Sequence, residues 1–504
     1  MTSFSGFLPL GRAFLEHIPS RFWAKAGAVP VLALLADHLF LGPEGLTAGS
    51  TLGIFGLALL LIVWALRVPH PEAADYLLGA LALGLCLALF NDPGALTAGL
   101  LWAMLALLVL RPTFGKPADA RDLLLKLAVF TSATSIRPFK DLGLLRKAAK
   151  RRSHARFRLT PLILPVVALI VFGALLIWAN PILEGFARRL DMNGLAALLT
   201  VERFALWVTI GLVAWSLLRT AAAYLPKAAN YEAEKLDERI VRLFSPASVL
   251  VALILCNAIF ALQNGLDIAY LWTGETLPNG MTHAQYAHRG AYPLILTALL
   301  AGAFVLVALR RGSPTEHDPR IRVFVYLWLA QNIFLVASAI LRTLNYVEDY
   351  SLTLLRLSAL IWMGLVATGI VLIVWRIALG KSGRWLINAN ALTAIAVLYI
   401  STFLDFPGII ANYNVRHAHE VTGRGVHLDL SYLGGLGPAS LPALDWYMNQ
   451  NGHQPYAAQV RDRLYRDLEA RQGDWRTWTW AGERLFSPLV PPAPPPALRL
   501  WKAP

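Results

Sequence analysis

The chain reads as an all-α integral membrane protein of about eleven transmembrane helices, N-terminus inside, with a small extracytoplasmic C-terminal domain. Three observations predict this. Hydrophobic residues make up 57% of the 504 and charged residues only 15%, where a soluble domain carries about 25% charged residues. Apolar runs recur at the length, roughly 20 residues, that crosses a hydrocarbon core of about 30 Å. Lysine and arginine are distributed unevenly among the segments between those runs.

The expected spans lie near 26–41, 46–66, 76–90, 95–110, 160–180, 196–218, 247–266, 291–309, 322–341, 357–379 and 385–404. The first run is flanked by Arg21 and Lys25, holds Pro30 and Asp37, and lacks a small-x-small cleavage site, so it reads as a retained helix. Short turns built on Gly42-Pro43, Pro69 with Pro71, and Pro93-Gly94 make the first four spans antiparallel neighbours. They form an N-terminal segment over 1–115; the third and fourth spans are short and contain glycine. Counting cations from an inside N-terminus puts 29 in the inner segments, six at outer positions and ten in the long C-terminal region. The positive-inside rule turns that asymmetry into a topology.

Residues 116–159 form a cytoplasmic segment. Its first part, Asp122 to Phe130, is apolar enough to lie along the interface or pack under the bundle. Its second part carries Arg146, Lys147, Lys150, Arg151, Arg152, Arg156 and Arg158. Each cation beside an anionic inner leaflet contributes on the order of 1 kcal/mol, so these residues read as a topology anchor touching lipid headgroups. A cytoplasmic or membrane protein partner is the other occupant. Nucleic acid is excluded as a partner despite the net charge of +14, because no aromatic interleaving or binding module accompanies the charge.

A seven-span core follows over 160–411, then a soluble-looking region over 412–504. In that region Ser440 to Met448 and Tyr456 to Arg471 read as helices, the latter with Tyr456, Val460, Leu464 and Leu468 at i, i+4 spacing. The tryptophan-rich stretch Asp474–Trp480 suits either the membrane–water boundary or a small core. Pro488–Pro496 begins an extended tail.

Polar groups in lipid are costly unless they face the bundle interior, which makes each a candidate site residue. In the seventh span Asn257, Asn264 and Asp267 share a face, with Gln263 beside them. In the ninth, Gln331, Ser338, Arg342, Asn345 and Asp349 recur at intervals of seven, four, three and four. Asp405 at the end of the eleventh span, Glu202 and Arg203 at the start of the sixth, and Asp37 and His38 of the first reach the same side. The longest outer loop adds Tyr286, His288, Arg289 and Tyr292. Two readings of this cluster stand. In one, Arg289 and Arg342 clamp an anion while Asp267, His288 and Asp349 are proton-active partners. In the other, ion pairs such as Asp267 with Arg342 lock helices and loop together.

Other motifs carry less. Gly380-Lys381-Ser382 resembles the end of a phosphate loop, but Trp375 stands where that loop needs glycine. His417, His419, Glu420 and His427 have ligand chemistry without a spacing that fixes geometry. Cys86 and Cys256 fall inside spans and suit apolar packing. No cofactor, metal site or catalytic motif is expected, and enzymatic activity is left open.

Several stretches resemble the bacterial "domain of unknown function 4173" membrane family. They are Ala179-Asn180-Pro181, Ala261–Asp267 with Tyr270-Leu271-Trp272, Tyr286–Leu294, Tyr346–Tyr350, Trp385–Asn390 and the Asp405–Val415 exit. Ala36-Asp37 with Leu39-Phe40 is similar to that family's first span, and Leu433–Leu444 matches in the C-terminal region. The resemblance covers roughly 160–415. It implies a polytopic bacterial inner-membrane protein whose outer loop and polar stripes belong to the family pattern, and it implies no activity. Three functions remain open: a sensor or accessory protein with an outward polar pocket for an anionic headgroup or small anion, a transporter or lipid translocase, and an envelope transferase acting on a lipid-linked substrate.

Overall fold

The computed structural model describes residues 21–42, 45–114, 119–132, 141, 200–219, 245–273, 297, 300, 304, 313, 315, 318–452 and 454–487. Among these residues the architecture is helical, with one short hairpin, Leu41–Gly42 paired antiparallel with Gly45–Leu46. The described helices belong to two compact units.

The first unit holds α1 (Arg21–Phe40), α2 (Thr51–Arg67), α3 (Ala73–Asn91), α4 (Ala95–Phe114) and α5 (Val201–Leu218). Leucine and alanine dominate these helices and favour the helical state. Small residues let backbones approach, as in membrane helix pairs. A Cβ added at Gly53 of α2 would sit 2.5 Å from the Phe90 amide nitrogen and 2.6 Å from the Cys86 carbonyl oxygen of α3. Ala36, Leu39 and Phe40 of α1 form a small core with Leu206 and Ile210 of α5. The apolar stretch after α4 is helical over 120–132. Its Phe130 is buried, with its ring 5.9 Å from Trp102 of α4, so this part packs on the bundle.

The second unit holds α6 (Pro246–Asp267), which continues into a π-helical turn over Ile268–Trp272, then α7 (Pro319–Tyr350), α8 (Leu354–Ala378) and α9 (Gly383–Ser401). Each starts on a side-chain cap: Ser245, Asp318, Thr353 and Ser382 accept hydrogen bonds from backbone amides inside the first turn. The motif Gly380-Lys381-Ser382 is thus a turn with Gly380 at φ +61 and a helix cap at Ser382. The burial pattern runs inside out. On α6, Ile259 and Leu262 are 65% and 68% exposed, while Asn257, Asn264 and Asp267 are buried. Such an arrangement is stable only with lipid as the outer solvent.

Beyond α9 the chain bends by 72° into α10 (Phe406–His417). Next come α11 (His419–Thr422), α12 (Leu430–Gly435), a 3-10 turn over Pro438–Ser440, α13 (Leu441–Asn451), α14 (Pro455–Gly473) and α15 (Trp480–Phe486). One apolar core unites them: Ala411 and Val415 of α10 pack with Leu433, Leu444, Tyr447, Val460 and Leu464. Hence α10 is packed into this helical domain. Trp475 and Trp480 are about half-exposed and stay outside that core.

Among the described residues six helices are long and apolar enough to cross a bilayer, and the bent α9–α10 pair is a seventh if taken as one span. The protein is therefore a multi-pass, all-α membrane protein, although the described residues do not reach the expected eleven spans. Both short, glycine-containing runs, now α3 and α4, are among the six. At 17 residues, α2 is apolar but shorter than those six, at the lower end of the about 17–25 residues that a crossing takes. The expected spans at 160–180 and 291–309 lie outside the described residues, apart from Thr297, Leu300 and Phe304.

Candidate functional site

The polar stripes of α6 and α7 meet in one seam. Asn257 donates to the carbonyl oxygens of Leu253 (2.8 Å) and Phe324 (3.1 Å) and accepts from Gln331 Nε2 (2.8 Å). Asn264 donates to the Gln331 carbonyl oxygen at 3.2 Å. Arg342 donates to Oδ1 of Asp267, which also accepts from Gln263 at 3.0 Å. From Phe324 to Arg342 the seam runs about 27 Å along α7 at the helical rise of about 1.5 Å per residue, close to the thickness of a hydrocarbon core.

The π-helical turn completes it. A wider turn carries Trp272 back toward the face that holds Asp267, five residues earlier. There its indole N–H donates to the buried Ser338 hydroxyl at 3.1 Å, and its ring stacks on Phe334 at 5.6 Å. Two amide oxygens in the seam, Oδ1 of Asn264 and Oε1 of Gln331, are buried and accept no hydrogen bond from the described residues, and the Trp328 indole N–H is buried without an acceptor among them. Each such group carries a desolvation cost of about 1–3 kcal/mol. The amide nitrogens of both residues are engaged by acceptors, which fixes the orientation of the two oxygens.

Asp267 is fully buried and Arg342 is 7% exposed. Asp349 lies seven residues beyond Arg342, about 10 Å along the same helix, and is exposed. It is Asp267 that neutralises Arg342. Asp405 caps α10, its Oδ1 accepting from the Gly408 amide at 3.0 Å. Arg289, His288, Tyr286 and Tyr292 lie outside the described residues, as do Arg146, Lys147, Lys150, Arg151, Arg152, Arg156 and Arg158. In the first unit Asp37 accepts from the Trp207 indole at 3.1 Å and lies 3.6 Å from Arg203. Asp75 there lies 2.8 Å from Arg111.

At the far end of α7 the chain turns sharply into α8 through Ser351, a residue with φ +66 and ψ 167. That region is essentially reserved for glycine and costs of order 1–3 kcal/mol for other residues. Three side chains hold it. Asn414 of α10 donates to the Leu352 carbonyl at 2.9 Å and accepts from its amide at 2.7 Å. Arg356 donates to the carbonyl oxygens of Tyr350 and Ser351 while lying over the Tyr346 ring. The Tyr432 hydroxyl accepts from the Leu354 amide at 2.9 Å. Sequence reasoning missed this corner. Its one available signal is Asn414, a buried amide in an otherwise apolar face of α10.

Beside the corner lies a depression of about 300 Å³ lined by Glu348, Ser351, Tyr413, His417 and Arg424. Burial, with Glu348 nearby, pushes the Tyr413 phenol up. His417 stacks on Tyr413, and Glu420 pairs with His427 at 3.0 Å. Among the described residues no group of three or more histidine, cysteine, aspartate or glutamate side chains could hold a metal ion.

No curated protein and no solved structure matches this chain. A family does, over residues 77–447, which takes in α4 to α9, the seam, the Ser351 corner and most of α13. All the stretches compared above with the 4173 family fall inside that range except Ala36–Phe40. The match is not to the 4173 family that those stretches resemble but to a different family of unknown function: the chain belongs to the family described as Domain of unknown function (DUF4153).

Proposed function

We propose that the protein is a non-enzymatic sensor or accessory protein of the bacterial inner membrane, and that it recognises an anionic headgroup or small anion on the side carrying its helical domain. The observation that carries this reading is the continuity of α7. One uninterrupted helix of 32 residues holds the Asp267–Arg342 pair in its membrane portion, and its end is clamped to the helical domain through Asn414. A ligand that shifts the seam thereby shifts the domain, because a packed helix moves as a body. In this reading Asp267 orients Arg342 and Arg289 completes the anion clamp from the outer loop. The polybasic segment 146–158 faces the anionic inner leaflet or a protein partner.

The cation asymmetry supports an N-terminus inside and a helical domain outside, and the recurring apolar runs support eleven spans in all. A transport reading draws on a separate observation, the two acceptor oxygens of Asn264 and Gln331 within the seam. No comparable feature favours the transferase.

Native mass spectrometry of the protein purified in mild detergent tests the proposal. The expected result is a bound anion or anionic lipid that the wild type retains and that Arg289→Ala and Arg342→Lys variants lose. A retained lipid-linked sugar consumed on incubation would overturn it in favour of the transferase.

A further inference from the structure

Where α9 bends by 72° into α10, the chain leaves an apolar helix and enters the helical domain. If α9 stands along the bilayer normal, α10 runs nearly parallel to the bilayer surface. Along one face of α10, Asp405, Ile409, Asn412 and Arg416 follow at helical spacing and line a cleft of about 460 Å³, within the range of small-ligand sites. Ala443 and Trp446 of α13 and Leu485 of α15 close its other walls.

The chemistry of the cleft is asymmetric. Its floor is apolar. At one end the exposed Arg416 guanidinium lies 5.6 Å from the centre of the Trp446 ring, and it forms no ion pair with any described carboxylate. At the other end, eleven residues and about 16 Å away along the helix, Asp405 caps α10 and repels anions. A cation over a tryptophan beside an apolar groove, close to the end of a span, is the pairing that seats at a membrane–water boundary. Phe403 and Leu404, at the bend, are about half-exposed and continue the apolar surface toward the span.

We propose that this cleft binds one anionic phospholipid of the surrounding bilayer, with its phosphate at Arg416 and Asn412 and its upper acyl chain along Ile409, Ala443 and Leu485. The site rests on the anion-recognising reading above but uses side chains separate from Arg289 and Arg342, so the two can fail independently. A bilayer lipid suits the cleft better than a free anion, because most of the lining is apolar and burying chain methylenes contributes about 0.8 kcal/mol each.

The test uses the full chain, delipidated in detergent and then given phosphatidylglycerol, phosphatidylcholine or inorganic phosphate, with retention read by native mass spectrometry. The wild type should retain one phosphatidylglycerol in preference to phosphatidylcholine. Arg416→Gln should lower that retention about fivefold to tenfold, the scale of one charged contact at a bilayer surface, and Arg416→Lys should restore part of it. Arg466→Gln, which removes an equal charge from an exposed position on α14, should change nothing. Equal loss in the Arg416 and Arg466 variants, indifference to headgroup, or displacement by millimolar phosphate alone would overturn the proposal. Loss in Arg342→Lys but not in Arg416→Gln would sink the cleft and leave the reading of the seam standing.

Discussion

Arg342 of α7 donates a hydrogen bond to the carboxylate of Asp267 on α6, and both side chains are buried, Asp267 completely. Neither ion is tenable alone there: an uncompensated buried charge costs several kcal/mol, and removing one partner of such a pair costs about 3–5 kcal/mol. The rest of the seam, with Gln263, Trp272 and Ser338, is arranged around this pair.

That energetics yields a cycle. Asp267→Asn and Arg342→Gln should each lower the thermal midpoint in detergent sharply, and the double variant should fall by much less than the sum. Additive losses would show that the two side chains do not depend on each other.

The corner at Ser351 makes a prediction of the opposite sign. Ser351→Gly relieves a conformation that serine tolerates poorly, against an entropic loss of about 0.5–1 kcal/mol. The variant should be more stable by about 1 kcal/mol, and Ser351→Val less stable than wild type. If denaturant or thermal melts show Ser351→Gly to be destabilised, the backbone at this turn is not strained.

The close approach of α2 and α3 predicts that Gly53→Val lowers the thermal midpoint by the equivalent of about 1–3 kcal/mol, because the added atoms meet the backbone of Cys86 and Phe90. Gly99→Ala on α4, where nothing lies within 4 Å of an added Cβ, is the control and should be neutral or slightly stabilising. Equal midpoints for Gly53→Val and wild type would remove the tight packing.

In the helical domain, burial alone would raise the Glu420 carboxyl. That effect is outweighed by backbone hydrogen bonds, including the Leu428 amide, and by His427, which together hold the carboxyl below its ordinary value of 4.5. A depressed carboxylate contributes stability that is complete above the unfolded-state value and is lost as pH falls below it toward the folded value. The domain should therefore lose stability below about pH 4.5, and Glu420→Gln should be less stable at neutral pH but lose less on acidification. Thermal midpoints followed by circular dichroism across that range check both halves. Parallel pH profiles for the two proteins would contradict it.

Much of this is legible in the sequence. Asparagine, glutamine and charged residues against an apolar background stand out, and their spacing names the face they share. So Asn257, Asn264 and Asp267 were placed on one side of α6, and Gln331, Ser338 and Arg342 on one side of α7. Hydropathy likewise located α3 and α4 despite their glycines. Spacing along a helix says nothing, however, about its axial register against another. That register selects the pairing of Asp267 with Arg342, one of the two readings the sequence leaves open, and leaves Asp349, on the same stripe, exposed.

The apolar periodicity of the chain was enough for a multi-pass helical protein with polar faces turned inward, because lipid leaves the backbone few alternatives and sorts side chains by solvation alone. Which polar groups touch depended on packing in three dimensions: the π-helical turn that returns Trp272 to Ser338, the Ser351 corner held by Asn414 from 62 residues away, and the 72° bend that lays α10 against α13. Contacts of that kind join segments distant in the chain, and their geometry is set by the fit of whole helices, which no local pattern of residues encodes.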